Sequence, residues 1–234
     1  MSCRVSLIVP VLDDAEAVSR LLVPMQSWRG DDWEIIVVDG GSQDASRDVA
    51  QSLADTVIEA PRGRAAQMQC GARAARGEWL WFVHADSLVS GDLLAEMRRL
   101  PERCQWGRCD VVLDDPRAFF SVIAFFMNNR SWLTGICTGD QGIFVRNSLF
   151  HDIGGYAMQP LMEDVELSAR LRKVARPHRP RNRLVTAARR WQSHGVLRTL
   201  LLMWWLRLQY FLGVPASRLH QRYYPSRDAA RKVQ

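Results

Sequence analysis

The chain has 234 residues, 47% of them hydrophobic, which suits one globular domain, or one domain with an appendage, built on a sizeable core. The formal charge is +6, carried almost wholly by arginine, with Lys173 and Lys232 the only lysines. That balance fits genome composition, or binding of phosphate groups or an anionic membrane; a nucleic-acid partner is not expected.

Val5 to Pro10 is a short apolar run stopped by proline and reads as a buried strand. Ala15 to about Trp28 carries apolar residues at helical spacing, with a break expected at Pro24. Glu34 to Asp39 is a second apolar strand, running into Gly40, Gly41 and Ser42. Asp44 reads as the cap of the next helix, which carries Val49, Ala50 and Leu53. Thr56 to Ile58 reads as a third strand, Gly63 to Ala75 as an alanine-rich helix, and Trp79 to Val83 as a fourth strand before a helix from about Gly91 to Leu100. Apolar strands alternating with helices imply a mostly parallel sheet covered on both faces, whose ligands bind at the carboxyl ends of the strands. Asp13, Asp14, Asp39 and Asp86 all fall at such ends.

The alternation stops after about residue 105. Trp106 to Leu113 reads as a strand, Phe119 to Met127 is strongly apolar, and Gly142 to Val145 is another short strand. Leu161 to Leu171 then opens a helix with Glu163, Asp164 and Glu166, while Leu167 and Leu171 face a core. Acids in a first helical turn ordinarily complement the helix dipole. An acid ending a distant strand, Asp86, with an acidic pair on a helix is also what metal-assisted group transfer needs. Glu166 reads as a solvated or paired residue of the same helix.

The five cysteines, Cys3, Cys70, Cys104, Cys109 and Cys137, form no CxxC pair, which argues against a disulfide framework or a zinc site and points to a reducing cytosol. Met1 to Arg4 leads straight into the first strand without a long signal-type apolar region, so no export is expected.

The natural division is an α/β domain over residues 1–191 and an apolar, basic helical tail over 192–234. Val196 to Val214 is long enough to invite a membrane-spanning reading, but Arg198, Arg207 and Gln209 oppose it. A central arginine costs about 2.5–3.5 kcal/mol, against roughly 0.3–0.6 gained per large apolar residue. Two readings stand. The tail packs on the core or on a second subunit as a homodimer. Or it lies on the inner face of the membrane, with Trp204, Trp205 and Tyr210 at the interface and Arg218 and Arg222 on headgroups, which would favour a lipid-linked acceptor.

Four motifs in order carry a family resemblance: Val9 to Asp14, Ile36 to Asp44, Phe82 to Asp86 and Met162 to Asp164. Together they resemble family 2 glycosyltransferases, which have the GT-A fold, over roughly residues 4 to 191. The His84-Ala85-Asp86 strand end and the Leu161 to Leu167 helix start resemble a subgroup named for its association with radical-SAM and selenium-domain proteins. The resemblance implies an inverting transferase that moves a sugar from a nucleotide-diphosphate sugar to an acceptor hydroxyl with Mn2+ or Mg2+. It places the donor at Pro10, Val11, Asp13, Asp14, Asp39, Gly40, Ala85 and Asp86, with Asp86 the principal metal acid, Asp164 the general base and Glu163 its neighbour. It also implies an acceptor-side Arg190-Trp191 pair and a late histidine, His194, within reach of the metal. The chain departs from the family three times: Asp13-Asp14 stands where Asn-Glu is usual, Gly40 where a second acid is usual, and His84 where the metal motif has its first aspartate.

Three further places keep more than one reading. Arg62, Gly63 and Arg64 start a helix, where amides and guanidinium meet phosphate, or form a plain basic turn. Gly139, Asp140 and Gln141 line the donor or acceptor pocket, or form a plain turn. His84 is a metal ligand, a phosphate donor or a packed histidine. Two competing functions remain. One is a sugar nucleotidyltransferase, opposed by Pro10 to Asp14 standing where a glycine- and arginine-rich loop is usual. The other is a membrane-associated nucleotide-sugar-binding scaffold without turnover, motivated by the lost acids.

Overall fold

The computed structural model describes residues 4–30, 32–189, 192 and 195–223. Strands β1 (Val5–Val11), β2 (Trp33–Asp39), β3 (Thr56–Glu59) and β4 (Trp79–Phe82) lie parallel, in the order β3-β2-β1-β4. They alternate with helices α1 (Ala15–Leu22), α2 (Ser46–Leu53) and α3 (Arg64–Ala74). As expected, Pro24 ends the helical stretch: α1 stops at Leu22 and residues Val23–Trp28 tighten into a 3-10 helix.

Successive strand residues face opposite sides, and both sides are apolar. Leu7, Val9, Ile35, Val37, Trp79 and Trp81 pack one face, covered by α1, α2 and α4 (Gly91–Met97). Ile8, Ile36, Val38, Leu80 and Phe82 pack the other against α3, α6 (Asn147–Asp152) and α7 (Glu163–Val174). Helix α3 lies so close that a Cβ on Gly71 would stand 2.5 Å from Ile8 Cγ2, which is why glycine occupies that turn.

The helix after β2 begins one residue later than Asp44 would place it. Its N-cap is Ala45, and Asp44 instead accepts from the amides of Ser46 and Ala15 at 2.9 and 3.1 Å, tying α2 to α1.

The second half departs further from the sequence reading. Trp106 to Leu113 is not one strand. Strand β6 (Trp106–Gly107) ends the main sheet beside the antiparallel β8 (Phe144–Arg146). Strand β7 (Val111–Leu113) joins a second sheet, in the order β5-β9-β7, with β5 (Ser87–Leu88) and β9 (Leu184–Thr186). The switch is made at Arg108, which is fully buried, ion-paired to Asp110 and donates to the Asn128 carbonyl at 3.0 Å. A buried guanidinium needs those partners, and a continuous strand would not supply them.

The apolar stretch near Phe119 is helix α5 (Ala118–Thr134), closed by Gly135 in the left-handed conformation. The tail forms α8 (Val196–Phe211) and α9 (Ala216–Tyr223). Within the tail, Leu206 and Leu219 are fully buried against Ile136 and, at the start of α7, Met162 and Val165. Among the described residues no helix is long and apolar enough to cross a membrane.

Candidate active site

The loops after β1 and β2 are knitted together at the carboxyl edge of the sheet. Asp13 has φ 52, a left-handed conformation that aspartate tolerates better than most residues. Its backbone N–H donates to Ser42 Oγ at 2.9 Å, and its Oδ1 accepts from the Gln43 amide at 2.7 Å. The Asp14 amide donates to Ser46 Oγ at 2.9 Å. Asp14 also caps α1 through the Ala17 amide and pairs with Arg189 at 3.3 Å. Asp39 is buried, and its carboxylate accepts from the Gly41 and Ser42 amides and the Ser42 hydroxyl. These acids therefore shape the loops that border the site.

Gly40 has a spatial reason. A Cβ there would meet the Gln67 amide at 3.0 Å, and Gln67 is buried, donating to the carbonyls of Val11 and Val38 at 2.8 Å. The room a second acid would need is taken by a glutamine that clips β1 to β2. Pro10 and Val11 complete β1 and are fully covered.

After β4 the chain turns through His84, Ala85 and Asp86, closed by the Ser87 amide donating to the His84 carbonyl at 3.1 Å. Burial lifts Asp86 above the usual carboxylate range; Arg64 and Arg189 oppose that, and Asp14 and Asp140 add to it. His84 Nε2 is covered and has no hydrogen-bond partner among the described residues. Burial, then the Arg64 charge, hold the ring well below the ordinary imidazole range, so it is neutral. Its edge rests on Gly139, where a Cβ would stand 2.7 Å from Nε2. Arg64 opens α3 behind Gly63, at the positive end of that helix.

The acidic pair starts α7. Met162 precedes it at φ 64, a strained conformation for a side chain of that size, and is itself buried. Asp164 Oδ2 accepts from the Gly139 amide at 2.6 Å and Oδ1 from the Val165 amide at 2.7 Å. Burial raises Asp164 above the carboxylate range even so. Glu163 is buried, and burial, then the Asp164 charge, push it up to about 7. Glu166 pairs with Arg170 one turn on, as the sequence suggests.

Shared neighbours bring the parts together. Arg64 acts on His84, Asp86 and Glu163, and Asp140 acts on both Asp86 and Asp164. Gly139 and Asp140 therefore border the site. Gln141 does not: it is fully buried, its amide donating to Ser131 Oγ at 2.8 Å and accepting from the Thr138 amide at 3.2 Å, so it holds the turn. Arg190, Trp191 and His194 lie outside the described residues.

Among the described residues no group of three His, Cys, Asp or Glu side chains gathers as a metal cluster. The donor set at this edge is one half-buried carboxylate, Asp86, with Asp14 and Asp140 near enough to raise its proton affinity. That set fits a hard divalent ion whose remaining ligands are substrate oxygens and water.

Sequence reasoning passed over Gln67 and Arg130 and gave Arg207 no part in the site, while Arg189 belongs to the run ahead of the acceptor-side Arg190-Trp191 pair. Arg207 offered a signal, a charge within an apolar helix, but was weighed only against membrane insertion.

The model of glycosyl transferase family 2 matches residues 6–161, stopping just before the acidic pair. A PGL/p-HBAD biosynthesis glycosyltransferase of Mycobacterium tuberculosis (strain ATCC 25618 / H37Rv) is 30% identical over 167 residues, 66% of this chain and 63% of that protein. The chain thus spans a little under two thirds of that relative's length. The putative glycosyltransferase EpsH of Bacillus subtilis (strain 168) is 32% identical over 101 residues, 41% of this chain and 29% of that protein. Among solved structures, the mannosyltransferase PcManGT from Pyrobaculum calidifontis, in complex with GDP-Man and Mn2+, superposes with TM-score 0.60 at 23% identity, covering 80% of this chain and 57% of that one. S. aureus TarS 1-349 superposes with TM-score 0.65 at 16% identity, covering 79% and 60%. These likenesses show the GT-A fold.

Proposed function

The chain belongs to glycosyl transferase family 2, and on that premise we propose that it transfers a sugar from a nucleotide-diphosphate sugar to an acceptor hydroxyl, with a divalent cation and with inversion. The observation that carries this reading is that the strand-end acid and the acidic pair share neighbours: Arg64 acts on both Asp86 and Glu163, and Asp140 on both Asp86 and Asp164. Donors named for solved relatives of this fold, GDP-Man with Mn2+ and UDP-GlcNAc, support the donor class without fixing the nucleotide or the sugar.

Asp86 would hold a divalent cation, which when bound would supply positive charge against the departing diphosphate. Arg64, at the amino end of α3, meets that diphosphate with a guanidinium and helix amides. Asp164 takes the acceptor proton. Its burial makes it a better proton acceptor, and the two backbone N–H groups fix its orientation and leave lone pairs free. The acceptor oxygen then bonds to the anomeric carbon as the bond to the diphosphate oxygen breaks, and displacement from the opposite side inverts the configuration. Glu163 positions Asp164 and shares its titration. The His84-Ala85-Asp86 strand end and the Leu161 to Leu167 helix start support placement in the radical-SAM-associated subgroup, and Trp204 and Trp205, exposed on the tail helix, support a place at the inner face of the membrane.

Asp164→Asn tests the assignment. It keeps the shape and removes the base, so turnover should fall by about 10²–10⁴-fold while donor binding persists. Turnover near that of wild type, or a product of retained configuration, would sink the proposed mechanism.

A further inference from the structure

Two arginines stand beside the acid pair without a role in the steps above. Arg130 comes from α5 and Arg207 from the tail helix α8. Arg130 Nε and Nη2 and Arg207 Nε are covered, yet find no hydrogen-bond partner among the described residues. Burial, then the Arg207 charge, lower Arg130 to about 10, so it remains a cation at neutral pH. Asp140 and Asp164 act on Arg130 from a distance, but the hydrogen bonds of Asp164 go to backbone amides, and Asp140 Oδ1 is itself unpartnered. Covered guanidinium nitrogens with unused donors are costly unless an anion joins them.

Their place separates them from the donor diphosphate. The arginines acting on Asp86 are Arg64 and Arg189, whereas the one acting on Asp164 is Arg207. The spare cations are therefore on the side of the base, where the acceptor comes.

The helices that supply them are apolar on the outside. Phe126 and Leu133, on the Arg130 face of α5, are 63% and 73% exposed. Trp204 and Phe211, on the Arg207 face of α8, are 67% and 65% exposed. Val196, at the start of α8, packs on the α5 cluster of Phe120 and Ile123, so the two helices touch there.

We propose that Arg130 and Arg207 bind the phosphate group of a lipid acceptor, whose apolar chain lies along the exposed faces of α5 and α8 while its hydroxyl meets Asp164. This rests on the transferase reading and deepens it by naming the acceptor class. A second copy of the chain fits poorly as occupant, because it would bring the same cations to the same face. A small soluble phosphate would leave the aromatic faces uncovered.

The test is flotation of the full chain with phosphatidylcholine vesicles, with and without phosphatidic acid, read without donor or turnover so that failure here is distinct from failure of sugar transfer. Wild type should bind the phosphatidic acid vesicles. Arg130→Gln and Arg207→Gln should each weaken that binding about tenfold or more, the scale of one charge-assisted hydrogen bond. Arg207→Lys should recover part of it and shows that the helix still folds. Arg218→Gln, an exposed arginine of α9, should change it little. Equal loss in Arg218→Gln, or none in Arg207→Gln, would overturn the assignment. So would glycerol 3-phosphate binding that needs both arginines in a protein that ignores the vesicles.

Discussion

Gly139 holds the base and braces His84 at one point, so a single methyl there should disturb both. In Gly139→Ala the new Cβ would stand 2.7 Å from His84 Nε2, 2.9 Å from Cε1 and 3.7 Å from Asp164 Oδ2. The first distance is about 0.8 Å short of an ordinary carbon contact. Either the ring edge swings away or the backbone of residue 139 retreats, taking with it the amide that holds Asp164 at 2.6 Å. A ring edge can yield, so the lower part of the overpacking range applies, about 1–2 kcal/mol. For a chain of this size that is roughly 2–8 °C in Tm. A base moved by about 1 Å costs roughly 10²-fold in turnover. Thermal melting and donor turnover measure the two effects. Pairing the change with His84→Ala should relieve the clash, so the stability losses of the two single variants should not add, with a coupling of about 0.5–1 kcal/mol or more. A Gly139→Ala protein that melts and turns over like wild type, or strict additivity in the pair, would refute the packing described here.

Glu163 should give the fold a pH dependence. In the native state it keeps its proton up to about 7, against an ordinary 4.5, so the folded chain binds more protons than the unfolded one between those values. Its contribution is therefore complete at low pH and is lost as pH rises through about 7. Glu163→Gln should remove that slope and be more stable than wild type near pH 8, by on the order of 1–3 kcal/mol in urea titrations. An unchanged slope would contradict its burial beside Asp164. Leu206→Ala empties a fully buried position of the tail against Met162 and Val165 and should cost about 2–5 kcal/mol. A melting curve like that of wild type would mean that the tail does not pack there.

The parallel half of the sheet is legible because β1, β2 and β4 are near-continuous apolar runs, each ending in a polar turn. The second half is not, because its strands are two or three residues long and the chain changes sheets at a buried arginine, Arg108, that no periodicity announces. The acids at strand ends are readable as a set, but their division of labour is not. Asp39 and Asp13 look like ligands and are bound to backbone amides, while Gln141 looks like lining and is closed inside. Asp13 meets an amide 30 residues on, Asp39 the amides of its own turn and Gln141 a serine 10 residues back, and hydrophobic patterning announces none of these contacts. Arg207 acts electrostatically on Arg130 from 77 positions further along the sequence, a relation that no local pattern announces.

The central claim is a donor site that needs a metal anchored by Asp86. Calorimetric titration of the purified chain with a panel of nucleotide-diphosphate sugars, with and without Mn2+, in wild type and Asp86→Ala, tests it most directly. The account predicts that one donor binds tightly with Mn2+ only, and that Asp86→Ala loses this binding while remaining folded. No donor binding by folded wild type, or binding indifferent to both Mn2+ and Asp86, would contradict it.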